Sequence, residues 1–197
     1  VRVLVACEFS GRVRDAFIGL GCDAWSCDFD RGAASPHLDK HIRGDVRPLL
    51  KDRWDLVIAH PPCTYLCLTG VRWLHERKGR FTLMQQGVDF FLECLHANAG
   101  AVAVENPIMH RYARDQIGRP TQVVHPYWFG DPQQKATGLW LRGVPELRPT
   151  RMLTQYETKQ PFGQYRSKQR MVTYQGIADA MATQWTMGQG TLFDFGS

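Results

Sequence analysis

Two side chains with the chemistry for covalent catalysis stand at the ends of apolar runs. Cys63 follows His60-Pro61-Pro62, directly after the run Asp55 to Ala59. The two prolines fix two φ angles and remove two backbone donors, so this corner cannot continue as sheet and presents the thiol stiffly beyond a strand. A thiol so placed suits a nucleophile, although many cysteines are simply small buried hydrophobes. Glu105 closes the run Ala101 to Val104 and precedes Asn106-Pro107. A carboxyl at a core edge needs a partner, or a pKa raised enough to keep its proton. Glu105 therefore reads either as a structural glutamate paired with an arginine or as an acid. The turn Glu8-Phe9-Ser10-Gly11 joins a strand to a helix start, where backbone N–H groups favour the carboxylate of a bound cofactor. With one glycine it falls short of a dinucleotide fingerprint. Asp28, one strand over, fits either a turn aspartate or an acceptor for ribose hydroxyls.

The elements that must carry these residues follow from periodicity. Val1 to Ala6, Ala24 to Cys27, Asp55 to Ala59 and Ala101 to Val104 are short apolar runs fit for buried parallel strands. Val13, Ala16, Phe17 and Leu20 keep helical spacing until Gly21. Met84, Val88, Phe91 and Leu95 form one stripe of a helix from about Phe81 to His96. Residues 29–45 carry at most one short element. Ile108 to Ile117 reads as a short helix and Ile177 to Trp185 as a closing one. Thr121 to His125 and Thr137 to Leu141 are further strands around an aromatic loop. Strands alternating with helices predict an α/β fold with a mainly parallel sheet flanked by helices. In such sheets ligands bind at the carboxyl ends of the strands, where Glu8, Asp28, Cys63 and Glu105 all fall.

The chain of 197 residues is 44% hydrophobic, which suffices for one core, and no apolar stretch approaches the length of a membrane span. The opening residues show no basic-then-apolar leader, and the six cysteines are scattered rather than framed as disulfides. These features predict a cytoplasmic protein with reduced thiols. The net charge of +5 is compatible with a polyanionic partner. Its placement is more informative, with one cluster at Arg72, Arg77, Lys78 and Arg80 and another at Arg166, Lys168 and Arg170. Each reads either as a solvated face or as a grip on phosphates. His60, Cys63 and Cys67 lack a fourth ligand, so no metal is expected.

The order of EFSG, an acid after the second strand, GDV, PPC and ENP resembles the cytosine-C5 DNA methyltransferase family, in the compact layout of its small phage and prophage members. The resemblance implies a Rossmann-like S-adenosylmethionine-dependent methyltransferase fold. It implies Cys63 as nucleophile and Glu105 as acid. Lys135 and Thr137 stand where the family carries the arginines of a Pro-Gln-x-Arg-x-Arg element, which places Lys135 with the catalytic set. The cofactor set is then Glu8, Phe9, Ser10, Gly11, Asp28, Asp45, Val46, Pro61 and Ile177, the last from a closing helix. Pro107 replaces the family's more frequent valine.

On that resemblance, a thiolate adding at cytosine C6 makes C5 nucleophilic while a protonated carboxyl at N3 absorbs the charge. The base must first be flipped out of its duplex. One catalytic domain is expected over 1–187, with a short variable segment at about 143–171 and a loose tail at 188–197. That segment is too short for a separate recognition domain. Specificity is therefore expected to be short or relaxed, read by Arg151 and the second basic cluster or by a partner protein. RNA instead of DNA and a non-catalytic nucleic-acid-binding protein are the alternatives. A hydrolase using Cys63 with His60 is more remote, for want of a third orienting group.

Overall fold

The computed structural model describes residues 1–158 and 172–187. Seven strands form one sheet: β1 (Arg2–Ala6), β2 (Asp23–Asp28), β3 (His41–Arg43), β4 (Trp54–Ala59), β5 (Ala99–Pro107), β6 (Gln122–Val124) and β7 (Thr137–Arg142). The order across the sheet is β3-β2-β1-β4-β5-β7-β6. The first five run parallel, while β7 is antiparallel to both β5 and β6. The α-helices among the described residues are α1 (Arg12–Ile18), α2 (Trp73–Glu76), α3 (Arg80–Leu95), α4 (Arg111–Ile117) and α5 (Gln175–Met187).

Alternation along the strands divides the core in two. Leu4, Ala6, Val57 and Ala59 face one side with Val88 and Phe91 of α3. Val3, Val5, Leu56 and Ile58 face the other with Phe17 of α1 and Met181 and Trp185 of α5. Most of these are fully buried, and each valine, leucine, isoleucine, phenylalanine or methionine among them contributes about 1.5–3 kcal/mol. The expected stripe on α3 holds at Met84, Val88 and Phe91, but Cys94 rather than Leu95 takes the last fully buried place.

Three elements differ from expectation. Strand β5 does not stop before Glu105 but runs on to Pro107, because β7 pairs with it as far as Pro107 opposite Thr137. Residues 29–45 hold two short elements, a 3-10 turn at Leu38–Lys40 and β3. The helix expected from Ile108 begins only at Arg111, with His110 as its cap.

The described part of the segment after β7 lies against the aromatic loop. Trp128 O accepts from Thr150 N and Arg151 N, and Tyr156 stacks on Tyr127 at 4.0 Å. Helix α5 then starts in close contact with the same loop. A Cβ on Gly176 would run into the carbonyl oxygen of Phe129, and Gly176 N donates to Asp131 Oδ2 at 2.9 Å. Among the described residues no helix is long and apolar enough to cross a membrane.

Candidate active site

Strand order reverses between β1 and β4, and crevices at such switch points are where open α/β sheets bind ligands. Two corners meet there. After β1, Cys7 takes a left-handed φ of +58°, rare for a residue with a side chain, and turns the chain sharply. Glu8 is thereby swung under α1, where its carboxylate accepts from Val13 N at 2.8 Å and Arg14 N at 3.3 Å. Ser10 Oγ donates to the same carboxylate at 3.1 Å. Glu8 and Ser10 are thus spent on capping, so the helix amides expected to meet a cofactor carboxylate already hold one. Gly11, at φ +75°, leaves room for the Arg14 guanidinium. That guanidinium is buried among Asp15, Ser26 and Ser35.

The corner after β4 has no helix to close on. His60 N donates to Ala6 O at 2.9 Å. Beyond it, side chains from the far end of β5 and from the cap of α4 hold the loop. Asn106, fully buried, donates from Nδ2 to Pro61 O at 2.8 Å. His110, 1% exposed, accepts from Ala113 N on Nδ1, which puts its proton on Nε2 for Tyr65 O at 2.8 Å. His110 N also donates to Leu66 O. The prolines stiffen the corner; Asn106 and His110 aim it. Leu66 N and Cys67 N both donate to Cys63 O at 3.0 Å, so Cys63 opens a turn that brings Cys67 beneath it.

The two sulfurs hydrogen-bond. Cys67 is also bonded to Thr69 Oγ1 at 3.1 Å and to backbone N–H groups of Thr69 and Gly70. The bond from Cys63 leads in lowering the Cys67 thiol, outweighing burial, and the Thr69 and Gly70 contacts add to it. Giving that bond, together with burial and the nearby Glu105 charge, holds Cys63 well above the ordinary thiol value, with Lys135 pulling the other way.

One cleft with about 140 Å³ of open space joins the two corners and is lined by Cys63, Glu105 and Lys135 together with Phe9, Pro61 and Ile177. Among the described residues Glu105 has no arginine partner. Its Oε2 lies 3.1 Å from His60 Nδ1. Burial pushes the Glu105 carboxyl up, but the His60 hydrogen bond and the charge of Lys135 outweigh it and hold the group below its usual value. Glu105 also lies inside β5 rather than beyond it.

The remaining candidates fall elsewhere. Asp28 ends β2 on the same sheet edge but accepts from Asp30 N and does not line the cleft. Asp45 accepts from Arg47 N and pairs with that guanidinium, and Val46 is buried. Arg72 and Arg77 each set a guanidinium 4.2 Å from the centre of a Trp73 ring, in a region that folds as α2 rather than as a plain loop. Lys78 is exposed, whereas Arg80 sits half-buried over Tyr65 and donates to Thr64 O. Arg166, Lys168, Arg170 and the tail at 188–197 lie outside the described residues. No cluster of three potential metal ligands occurs among the described residues.

Sequence reasoning gives no role to Asn106, His110 or Phe29, and weighs His60 and Cys67 only as metal ligands or, for His60, as a hydrolase partner of Cys63. Phe29 is a 70% exposed ring directly after Asp28. The orienting group whose absence told against a hydrolase does exist, since Glu105 holds His60. Even so, His60 Nε2 has no hydrogen-bond partner among the described residues, and Cys63 bonds Cys67 instead.

Strand order and the switch-point cleft define a Rossmann-like S-adenosylmethionine-dependent methyltransferase fold. Among solved structures, the chain is similar to the Entamoeba histolytica methyltransferase EhMeth (12% identity, 78% of this chain and 57% of that one, TM-score 0.50). It is also similar to an E. coli prophage-encoded protein assigned as a DNA modification methyltransferase (16%, 72% and 46%, 0.47). A third is the S. pombe Dnmt2 methyltransferase (13%, 72% and 48%, 0.40). The chain spans about half the length of these proteins. No protein-family profile matches the sequence, and no curated protein does.

Proposed function

We propose that the chain methylates cytosine at C5 in DNA, using S-adenosylmethionine and a transient bond from Cys63 to C6. The observation that carries this reading is the meeting of Cys63, Glu105 and Lys135 around one cleft at the switch point. The residues present fit the cofactor. Phe9, Pro61 and Ile177 give the cleft an apolar wall. Asp28 offers a carboxylate for ribose hydroxyls, Phe29 an exposed ring for a flat base, and Asp45 and Val46 follow on the next strand end. When bound, S-adenosylmethionine supplies a sulfonium methyl carbon that an activated C5 can take, leaving S-adenosylhomocysteine.

Cys63 passes its proton to Cys67 as its sulfur bonds to C6. Glu105 grips N3 and gives it a proton, and Lys135 lowers the cost of negative charge in the cleft. Loss of the C5 proton then expels the Cys63 sulfur. The target base reaches the cleft only when flipped from its duplex, and Arg72, Arg77, Lys78 and Arg80 are placed just after the nucleophile to hold phosphates. Specificity is short or relaxed, with Arg151, Arg166, Lys168 and Arg170 or a partner protein as readers, as in a compact phage- or prophage-type enzyme of the cytoplasm.

The test is transfer of labelled methyl groups to DNA and to RNA, with trapping on 5-fluorocytosine DNA. The native protein is expected to label DNA and to form a covalent complex that Cys63→Ser cannot form. Label entering RNA alone would replace the substrate. No capture and no label on either polymer would leave a non-catalytic binding protein.

A further inference from the structure

The reaction proposed above asks Glu105 to meet N3 as an acid, yet its surroundings hold it as a carboxylate. The group that holds it is also the one best placed to resolve the conflict. His60 Nδ1 is 3.1 Å from Glu105 Oε2, and the two side chains are only 8% and 16% exposed. His60 Nε2 is buried and has no hydrogen-bond partner among the described residues. His60 is thus tied on one side to Glu105 and shut off from water on the other, although both residues line the cleft.

We infer that His60 is a positioning residue that stores the proton Glu105 needs and hands it over when the pyrimidine arrives. The inference rests on the cytosine-methylation reading. On this inference the resting pair shares its proton across the 3.1 Å contact, on Nδ1 of a doubly protonated ring. As the Cys63 sulfur bonds C6, the C5=C6 electron pair shifts to C4=C5 and the C4=N3 pair moves onto N3. Nδ1 passes its proton to Oε2 and the carboxyl so formed delivers one to N3, leaving a neutral imidazole. After methylation C5 loses its proton to water. The C5–H electrons restore C5=C6, the C6–S pair leaves with sulfur, and the N3 proton returns through Glu105 to His60. One proton travels out and back, and the C5 proton is the one released.

A lone carboxyl beside Lys135 would give up its proton well below neutrality. An imidazole keeps one closer to neutral pH, which makes it the better store. The other groups around the pair do not supply that proton. Lys135 comes from the loop ahead of β7, with Tyr174 beneath it. The Cys7 thiol, after β1, is raised by burial, and Cys63 and Cys67 share a proton with each other.

The experiment is the pH dependence of single-turnover methyl transfer to mixed-sequence duplex DNA by the native protein, His60→Gln and Glu105→Gln. Glutamine at 60 can still donate to Oε2 but cannot carry the proton. The alkaline fall in rate is expected to move down by at least about one pH unit in His60→Gln, with near-native rates at the acid end. A uniform loss across pH, the mark of a purely structural role, overturns the inference, as does an unmoved profile. Absence of methyl transfer by the native protein at any pH is instead the failure of the reading it rests on. The ¹⁵N shifts of the His60 ring then decide the inference without turnover. A titration midpoint that falls in Glu105→Gln supports it, and one that stays put overturns it.

Discussion

The corner after β1 is held from five and six residues away, by the bonds of Glu8 to Val13 N and Arg14 N. The corner after β4 is held from 45 residues away, by Asn106 on Pro61 and His110 on Tyr65. Both line the same cleft, but they fail differently. A local cap can be lost with its own helix while the rest of the sheet stands. A distant tie makes the position of Cys63 depend on β5 having found β4 and β7. The side that would hold the cofactor is therefore a near-autonomous strand–turn–helix unit, and the side that would do the chemistry is a product of the finished sheet.

Breaking the distant tie should have the largest effect. Asn106→Ala leaves Pro61 O without its donor, so stability should fall by about 1–3 kcal/mol in urea titrations. Methyl transfer should fall by about 100-fold, since small misplacements of a reacting group are that costly. An unchanged rate would show that the prolines alone aim Cys63. Breaking the local cap should be milder. Glu8→Ala removes the acceptor for two helix amides and should cost about 2 kcal/mol, read from thermal unfolding, with the rate kept within about tenfold.

Within the β4 corner, Cys67→Ala tests whether the second sulfur takes the proton. The thiolate seen by ultraviolet absorbance below the usual thiol range should vanish, and single-turnover transfer should slow by about tenfold. The smallest effect concerns acid stability. The Glu105 carboxyl is held below its unfolded value, so it contributes stability that is present above that value and lost as pH falls through the folded one. Glu105→Gln should therefore show a shallower loss of stability than the native protein below about pH 4, measured by urea midpoints.

The same contrast explains what could be read from the sequence. Alternation fixes β1, β2, β4 and their faces because each residue's side is decided by its neighbours. The cap at Glu8 left a local signal, an acidic residue three positions ahead of Gly11 and a helix, although it pointed to the ligand rather than to the helix itself. Cys67, four residues after Cys63, reads only as a metal-ligand candidate, although that spacing suits a single turn. The extension of β5 through Pro107 was not visible, because only the antiparallel partner β7 sustains it. Asn106 and His110 read as ordinary polar residues, and His60 only as a rejected ligand or base, until the atoms they meet are known, and those atoms lie far along the chain.

Gly176 has a wider consequence. With α5 seated on the Phe129 carbonyl and β7 locked beside β5, the stretch between them departs and returns at two fixed points. Between those points Leu147, Arg148, Arg151, Leu153 and Glu157 are bonded to β6, α5 and the aromatic loop, so a change at any of them is felt in the frame itself.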